Sequence, residues 1–553
     1  MMNVPYSGGR SGTNAPPYFL WDNSAYVLGV TAKENFDASK RFEAFRNFHI
    51  EVLENAKSRS LCAVLSFLQS WTPDKFKEYK FPVDIMDRNI VFRHLDEKSF
   101  AHEGVDAQSI WGSIYQPDVI GESVCLISGE VQPIARLHPP IKTFENPARI
   151  VSFDQTKDAF SSYGHVQAEN APTGIKAAFA YTAVLNRFLE KGSGHRIQIG
   201  DASTVFWADA SEAEAVVFAE GSFLELMGAG EVDETAEARH VEAILDKIRQ
   251  GIPLADLALD LPDGVRFFVL GLAPNAARLS VRFFVENDFK ELATKLLEHH
   301  HDIALEPSIP AHQMAVWMLV DEAAVHLPRE MGGKVVWRKS RSSEPPPNLG
   351  GEMMRAILTG TRYPLSMLDA VCRRVRAERG RITPRRAAIC RAVINRNDRL
   401  NGTKETVPMA LDREEPNSAY RLGRLFALLE RAQQLALPKL NATIRDRFFA
   451  GACTAPAKVF PMLVKTSMHH LAAARKDPTK KNIAGWIETE MGKVWSGLEM
   501  DTPKSLRLQD QGRFQVGYFH QKFAKTDKSG AENLAVADEA DAPEDTTPQE
   551  AHQ

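Results

Sequence analysis

Cysteine is scarce in these 553 residues: Cys62, Cys125, Cys372, Cys390 and Cys453 are odd in number and widely scattered. Such a set does not make a disulfide or zinc framework, and it suits buried thiols in a reducing cytosol. Long apolar runs are missing as well. No stretch approaches the ~18 consecutive apolar residues that read as a membrane span. The N-terminal stretch holds Pro5, Arg10, Asn14 and Asp22 without the basic-then-apolar order of a secretory leader. Absent too are a glycine-rich phosphate loop ending in Gly-Lys, a nucleophile elbow and an HExxH signature. The expectation is a cytoplasmic protein without membrane contact, cofactor, metal or catalytic residues.

At 553 residues, with 44% hydrophobic and 25% charged residues, the chain has an ordinary globular composition and exceeds one core. The formal charge of −4 conceals unequal parts. Residues 363–400 carry ten arginines against three acids, and 409–528 carry twenty Lys/Arg against twelve acids. The tail 529–553 has seven acids and no base, which leaves the front of the chain strongly acidic. A basic back half points toward a polyanionic partner.

Secondary-structure signals change along the chain. Ser123–Ile127, Arg196–Ile199, Thr204–Trp207, Arg266–Leu272 and Leu279–Val285 are strand-like, and Lys176–Glu190 is helical. After Pro345-Pro346-Pro347 the strand signals nearly vanish. Leu422, Leu425, Phe426 and Leu429 form one helical face, with a start signal at Pro416 to Ser418. Further helices are expected at Lys439–Ala450, Val459–Lys476, Asn482–Leu498 and within Ser505–Lys525. The fold class is therefore α+β: a mixed α/β N-terminal lobe over 1–345, followed by a C-terminal all-α bundle. Between them lies a basic helical connector, 346–408. The bundle spans 409–528, and 529–553 forms an acidic tail expected to be disordered.

Several phrases share one source. Ser11-Gly12-Thr13-Asn14-Ala15-Pro16 is followed by Phe19-Leu20-Trp21-Asp22-Asn23; Cys125-Leu126-Ile127-Ser128-Gly129-Glu130 leads to Pro133 through Pro139. Ile199-Gly200-Asp201-Ala202 runs into Trp207, and Gly271-Leu272-Ala273-Pro274-Asn275 follows. Tyr420-Arg421-Leu422-Gly423-Arg424-Leu425, Gln511-Gly512-Arg513-Phe514 and Gly517-Tyr518-Phe519-His520-Gln521 close the series. In that order, from about residue 9 to 525, the chain resembles the large subunit of the type I-C CRISPR Cascade. Members of that family carry a further stretch ahead of the Ser-Gly loop, and this sequence begins almost at it. The resemblance implies a non-catalytic subunit with guide RNA, target double-stranded DNA, Cascade backbone and small subunits and a helicase-nuclease as partners. Such a subunit reads the protospacer-adjacent motif, aids R-loop formation and recruits the nuclease, while the guide reads sequence by pairing. The bundle resembles the small subunit, which the family also makes from an internal start; Met409 is the candidate.

Candidate contacts follow. By composition the loop around Gly12 is a solvated terminus. The resemblance makes Arg10 and Asn14 motif readers, Gly12 the close-approach position, and Ser11 and Thr13 phosphate contacts. Arg136, His138 and Lys142 flank two prolines, and Asn275 and Arg278 sit between strands; each set fits either a phosphate clamp or a plain exposed loop. Arg373, Arg374, Arg385, Arg386 and Arg391 are candidates for nucleic-acid backbone, since arginine is the better bidentate phosphate ligand. They suit guide RNA or a backbone subunit equally. Arg421, Arg424, Arg431, Arg445, Lys458, Lys465 and Lys476 are candidates for the displaced strand. Trp486 and Trp495 are expected in the core. His299-His300-His301-Asp302 suggests either a solvated helix end or, as the alternative, a metal-dependent nuclease. A stand-alone nucleic-acid-binding regulator is the remaining alternative. Met409→Leu is expected to abolish a second, shorter translation product on expression of the gene; persistence of that product places the start elsewhere.

Overall fold

The computed structural model describes residues 4–5, 16–34, 36–114, 119–141, 147–153, 164–165, 167–228, 264–275, 278–307, 311–331, 334–340, 342–438, 442–498 and 502–524. The loop Arg10 to Asn14 expected to read the motif, Lys142 and the tail 529–553 lie outside them. The chain divides into two compact units. One comprises Met1–Pro140 with Val151–Ala183, the other Ile141–Ile150 with Val184–Gln553. Among the described residues no helix is long and apolar enough to cross a membrane.

In the first unit, helices Ser39–Val52 and Arg59–Ser70 enclose a core containing Phe19, Leu20, Phe42, Phe45, Leu61 and Leu68. Phe19 and Leu20 are fully buried. Leu20 takes a left-handed backbone (φ 59°), and its amide donates to His49 Nε2 at 2.8 Å. His49 Nδ1 in turn donates to the Phe45 carbonyl at 2.8 Å, and burial lowers its pKa to about 4. The ring is thus neutral and holds the strand entry in place. Strand β1 (Trp21–Asn23) pairs antiparallel with β2 (Asn89–Val91), and β3 (Val119–Val124) with β4 (Val131–Ala135).

The second unit contains an antiparallel sheet in the order β5 (Arg196–Ile199), β6 (Ala202–Asp209), β7 (Arg266–Asn275) and β8 (Arg278–Asp288). Alternation places Phe206, Val269 and Phe267 inward, where they meet Phe223 of helix Ala213–Leu226 and Phe289 of helix Phe289–Ile303. A further hairpin, β9 (His326–Met331) with β10 (Lys334–Lys339), carries no strong sequence signal. No described residue after Lys339 lies in a strand. Helices Leu349–Thr359, Leu365–Ala377, Pro384–Leu400, Ser418–Ala436, Ile444–Thr454, Pro456–Ala474, Lys481–Ser496 and Leu508–Phe523 follow. The fold is α+β, with its helical portion at the C-terminal end. One core runs from Ile197 to Phe519 without a break at 345 or 408.

The central helix Ser418–Ala436 is capped by Asn417, whose Oδ1 accepts from the Ala419 and Tyr420 amides. It is buried nearly all round. Its closest partner is the C-terminal helix Leu508–Phe523, and two glycines permit the approach. A Cβ on Gly423 would strike the Phe514 carbonyl, and one on Gly517 would strike the Tyr420 carbonyl. The sequence phrases built on these glycines thus mark a helix crossing. The same C-terminal helix packs back across residue 409: Gly512 lies against Ile394, Leu368 and Cys390, and Gln515 Nε2 donates to Cys372 Sγ at 3.2 Å. Four cysteines are buried as expected, whereas Cys62 is exposed on its helix. Because backbone cannot yield as a side chain can, Gly517→Ala is expected to destabilise the fold by about 2–3 kcal/mol in chemical denaturation. An unchanged midpoint would sink this reading of the crossing.

Candidate nucleic-acid interface

The arginine-dense segment folds into the end of Leu365–Ala377, a turn, and helix Pro384–Leu400, which starts at the N-cap Thr383. Most of its guanidiniums face protein. Arg386 is fully buried between Glu322 (2.8 Å) and Glu378 (2.7 Å) and donates to the Arg381 carbonyl at 3.1 Å. Burial opposes its charge, but the two carboxylates outweigh that and raise its pKa. Arg391, 4% exposed, donates to the His301 and Asp302 carbonyls, both at 2.7 Å. Arg385 donates to the Gln313 carbonyl at 2.7 Å. Phosphate contact therefore does not hold for Arg386 and Arg391, which are buried and bound to carboxylates and carbonyls of the fold. Arg385, half-buried, is also tied to the fold. Arg373 is exposed and pairs with Asp369 one turn earlier at 2.9 Å. Arg374 and Arg379 make no side-chain hydrogen bond or ion pair among the described residues.

The histidine cluster is no solvated helix end. His299 is 2% exposed and Asp302 fully buried. His299 Nδ1 hydrogen-bonds the Tyr363 hydroxyl at 2.8 Å, and burial holds its pKa well below the ordinary histidine value. Asp302 accepts from Arg396 at 2.6 Å, Arg399 at 2.8 Å and the Tyr363 hydroxyl at 3.2 Å. Arg396 also lies over the Tyr363 ring at 4.1 Å. His301, Asp302 and Glu405 bring ligand atoms within 4.8 Å of one another. Yet Arg399 also holds Glu405 at 2.5 Å, and Arg391 stands beside His301, so a metal cation would meet three guanidiniums. The donor set suits an ion-pair knot better than a metal centre.

Around the central helix the same distinction recurs. Arg424, 2% exposed, donates to Gln521 Oε1 at 3.1 Å and to the Arg413 carbonyl at 2.9 Å. Arg421 donates to the Glu415 carbonyl at 2.6 Å and to the Gly497 carbonyl. Arg431 lies over the Trp486 ring at 5.0 Å, and Arg445 pairs with Glu430 at 3.7 Å. These four hold the bundle together, contrary to a strand-binding role. Trp486 packs against the core as expected; Trp495 is 45% exposed, against expectation.

Three of the expected cations do face solvent. Lys458, Lys465 and Lys476 are exposed, and their side chains make no hydrogen bond or ion pair among the described residues. They lie along helix Pro456–Ala474 and just past its end, and that helix contains no acid. Met462, Met468 and His469 share its exposed side. Lys481, which sequence reasoning passed over, is likewise exposed and unpaired. A cationic face with apolar thioethers between the charges suits a flexible polyanion with flat bases.

The other expected contacts are elsewhere. His138 is 3% exposed and bonds the Tyr181 hydroxyl at 2.6 Å, which removes it from any phosphate clamp. Arg136 donates to Gln167 at 3.1 Å. Asn275 and Arg278 pair across the β7–β8 turn; Asn275 is exposed, and Arg278 half-buried and bridged to Arg149.

Residues 1–525 match the model of the CRISPR-associated protein family Cas_Csd1. The chain belongs to that family. It is therefore a CRISPR-associated protein, and the match spans both compact units and the helical bundle. No curated protein matches it.

Asp302→Ala would leave Arg396 buried without its anion. It is expected to cost about 3–5 kcal/mol in denaturation. A loss under about 1 kcal/mol, or a midpoint that falls on adding EDTA to the parent, would favour a metal at this place.

Proposed function

We propose that this protein is the non-catalytic large subunit of a type I-C Cascade complex in the cytoplasm. In that role the loop Arg10 to Asn14 reads the protospacer-adjacent motif in duplex DNA, and the guide RNA then pairs with the opened strand. The acid-free helix Pro456–Ala474 holds the displaced strand through Lys458, Lys465 and Lys476, and another surface recruits the helicase-nuclease. The family match over residues 1–525 carries the reading. The unpaired lysines support it, since their charge has no use inside the fold.

The test uses the complex assembled with guide RNA and backbone subunits. Arg10→Ala and Asn14→Ala are expected to weaken binding only to targets bearing the motif. The triple change of Lys458, Lys465 and Lys476 to Ala is expected to lower the salt dependence of binding on every target, by up to about two in log–log slope. Loop variants that bind motif-bearing DNA like the parent would defeat the loop assignment. Tight duplex binding by the isolated chain would favour a stand-alone regulator.

A further inference from the structure

Arg374 stands out among its neighbours. In a segment where most arginines are held by carboxylates, carbonyls and amides, its guanidinium, like that of Arg379, has no partner among the described residues, and of the two it is Arg374 that lines a cleft. It lines a cleft of about 350 Å³ together with Arg373, Ser343 and the three prolines Pro345, Pro346 and Pro347; Ala323, Val325 and Ala370 complete the apolar lining. Glu344 is the one acid among the lining residues; its side chain is largely exposed, and Lys339, whose nearer partner is Asp321 at 3.1 Å, lies 3.7 Å from it. The cleft is also firmly built. Ser343 Oγ accepts from the Val325 amide at 2.9 Å, and the Ser340 amide donates to the Val325 carbonyl at 2.9 Å. Consecutive prolines have fixed φ and no N–H, so this wall is rigid and presents no donor; the Pro346 carbonyl accepts from the Leu349 amide at 3.2 Å.

We infer that this cleft receives a single nucleotide unit, its phosphate on the Arg374 fork and its base against the proline wall. A guanidinium presents paired N–H donors matched to phosphate oxygens. Arg373 can join it, because an exposed pair such as Arg373–Asp369 is weak and readily exchanged. The proline rings and alanines offer an apolar surface suited to the flat face of a base. About 350 Å³ is at the small end of ligand sites and admits one nucleotide, not a duplex. The proline wall needs no ordering on binding, whereas the unpartnered Arg374 side chain gives up rotamer freedom when it meets the phosphate. The site goes beyond the large-subunit reading and does not depend on it.

The probes are AMP, dAMP, adenosine and inorganic phosphate, each titrated into the purified full-length chain by calorimetry. AMP or dAMP is expected to bind at least about tenfold more tightly than adenosine or phosphate, because only the nucleotides carry both halves. Arg374→Ala is expected to weaken nucleotide binding at least about tenfold with an unchanged melting temperature, and Arg374→Lys to restore it only in part. A preference for AMP over dAMP assigns the site to RNA, and the reverse to DNA. No measurable nucleotide binding, binding unaffected by Arg374→Ala, or phosphate binding as tight as AMP would each overturn the inference. None of these outcomes touches the motif-dependence of the assembled complex, so the two readings fail separately.

Discussion

Asp302 ends helix Phe289–Ile303 with a carboxylate that water cannot reach, and Arg396 and Arg399 lie on it. A buried anion is tolerable only where cations and donors meet it. That demand sets the position of helix Pro384–Leu400, because Glu322 and Glu378 grip the same helix through Arg386 near its other end. Fixed at both ends, the helix can neither slide nor turn. Arg396 extends the constraint to the Ala356 carbonyl, and so to helix Leu349–Thr359. These carboxylates thus tie helices Phe289–Ile303, Leu349–Thr359, Leu365–Ala377 and Pro384–Leu400 together, and the apolar core fills in around them.

Much of the architecture was legible because it rests on periodicity. The β-type runs of β6 to β8, the alternation in the first half of β7 and the apolar repeat of Ser418–Ala436 mark these elements directly. The β9–β10 hairpin was not legible. His326–Met331 mixes charges with a proline, and in Lys334–Lys339 the apolar residues Val335, Val336 and Trp337 are consecutive between charges, so no alternation shows. The central helix also hid a fact. Arg424 looked like part of a polar face, but the helix is surrounded, and Arg424 points to Gln521 and carbonyl oxygens within the bundle. Periodicity tells which residues share a side, not whether a neighbour covers that side.

Charge was the more ambiguous signal. An acidic front and a basic back can mean a polyanionic partner, or they can mean that the halves pair with each other. Both occur here. Asp302 and Glu322 come from the acidic part, and Arg386, Arg396 and Arg399 from the basic part. Counting residues cannot separate these uses, because both need the same arginines. In the bundle the lysines and the arginines part ways. Lys458, Lys465 and Lys476 reach solvent on a helix without acids, whereas the arginines there are bound to carbonyls, amides and a ring. A planar fork satisfies several carbonyls at once, which suits arginine to interior work.

The packing of helix Leu508–Phe523 across residue 409 has a consequence for any shorter product. Gly512 and Gln515 rest on Ile394, Cys390 and Cys372, and Arg513 donates to Thr406 at 2.8 Å. A bundle translated on its own from Met409 would lose all of these neighbours. It would present a fresh strip of apolar side chains flanked by stranded hydrogen-bond donors, the makings of a sticky subunit. Such a protein would persist in solution only by docking that strip on another chain, by self-association, or by folding the strip away.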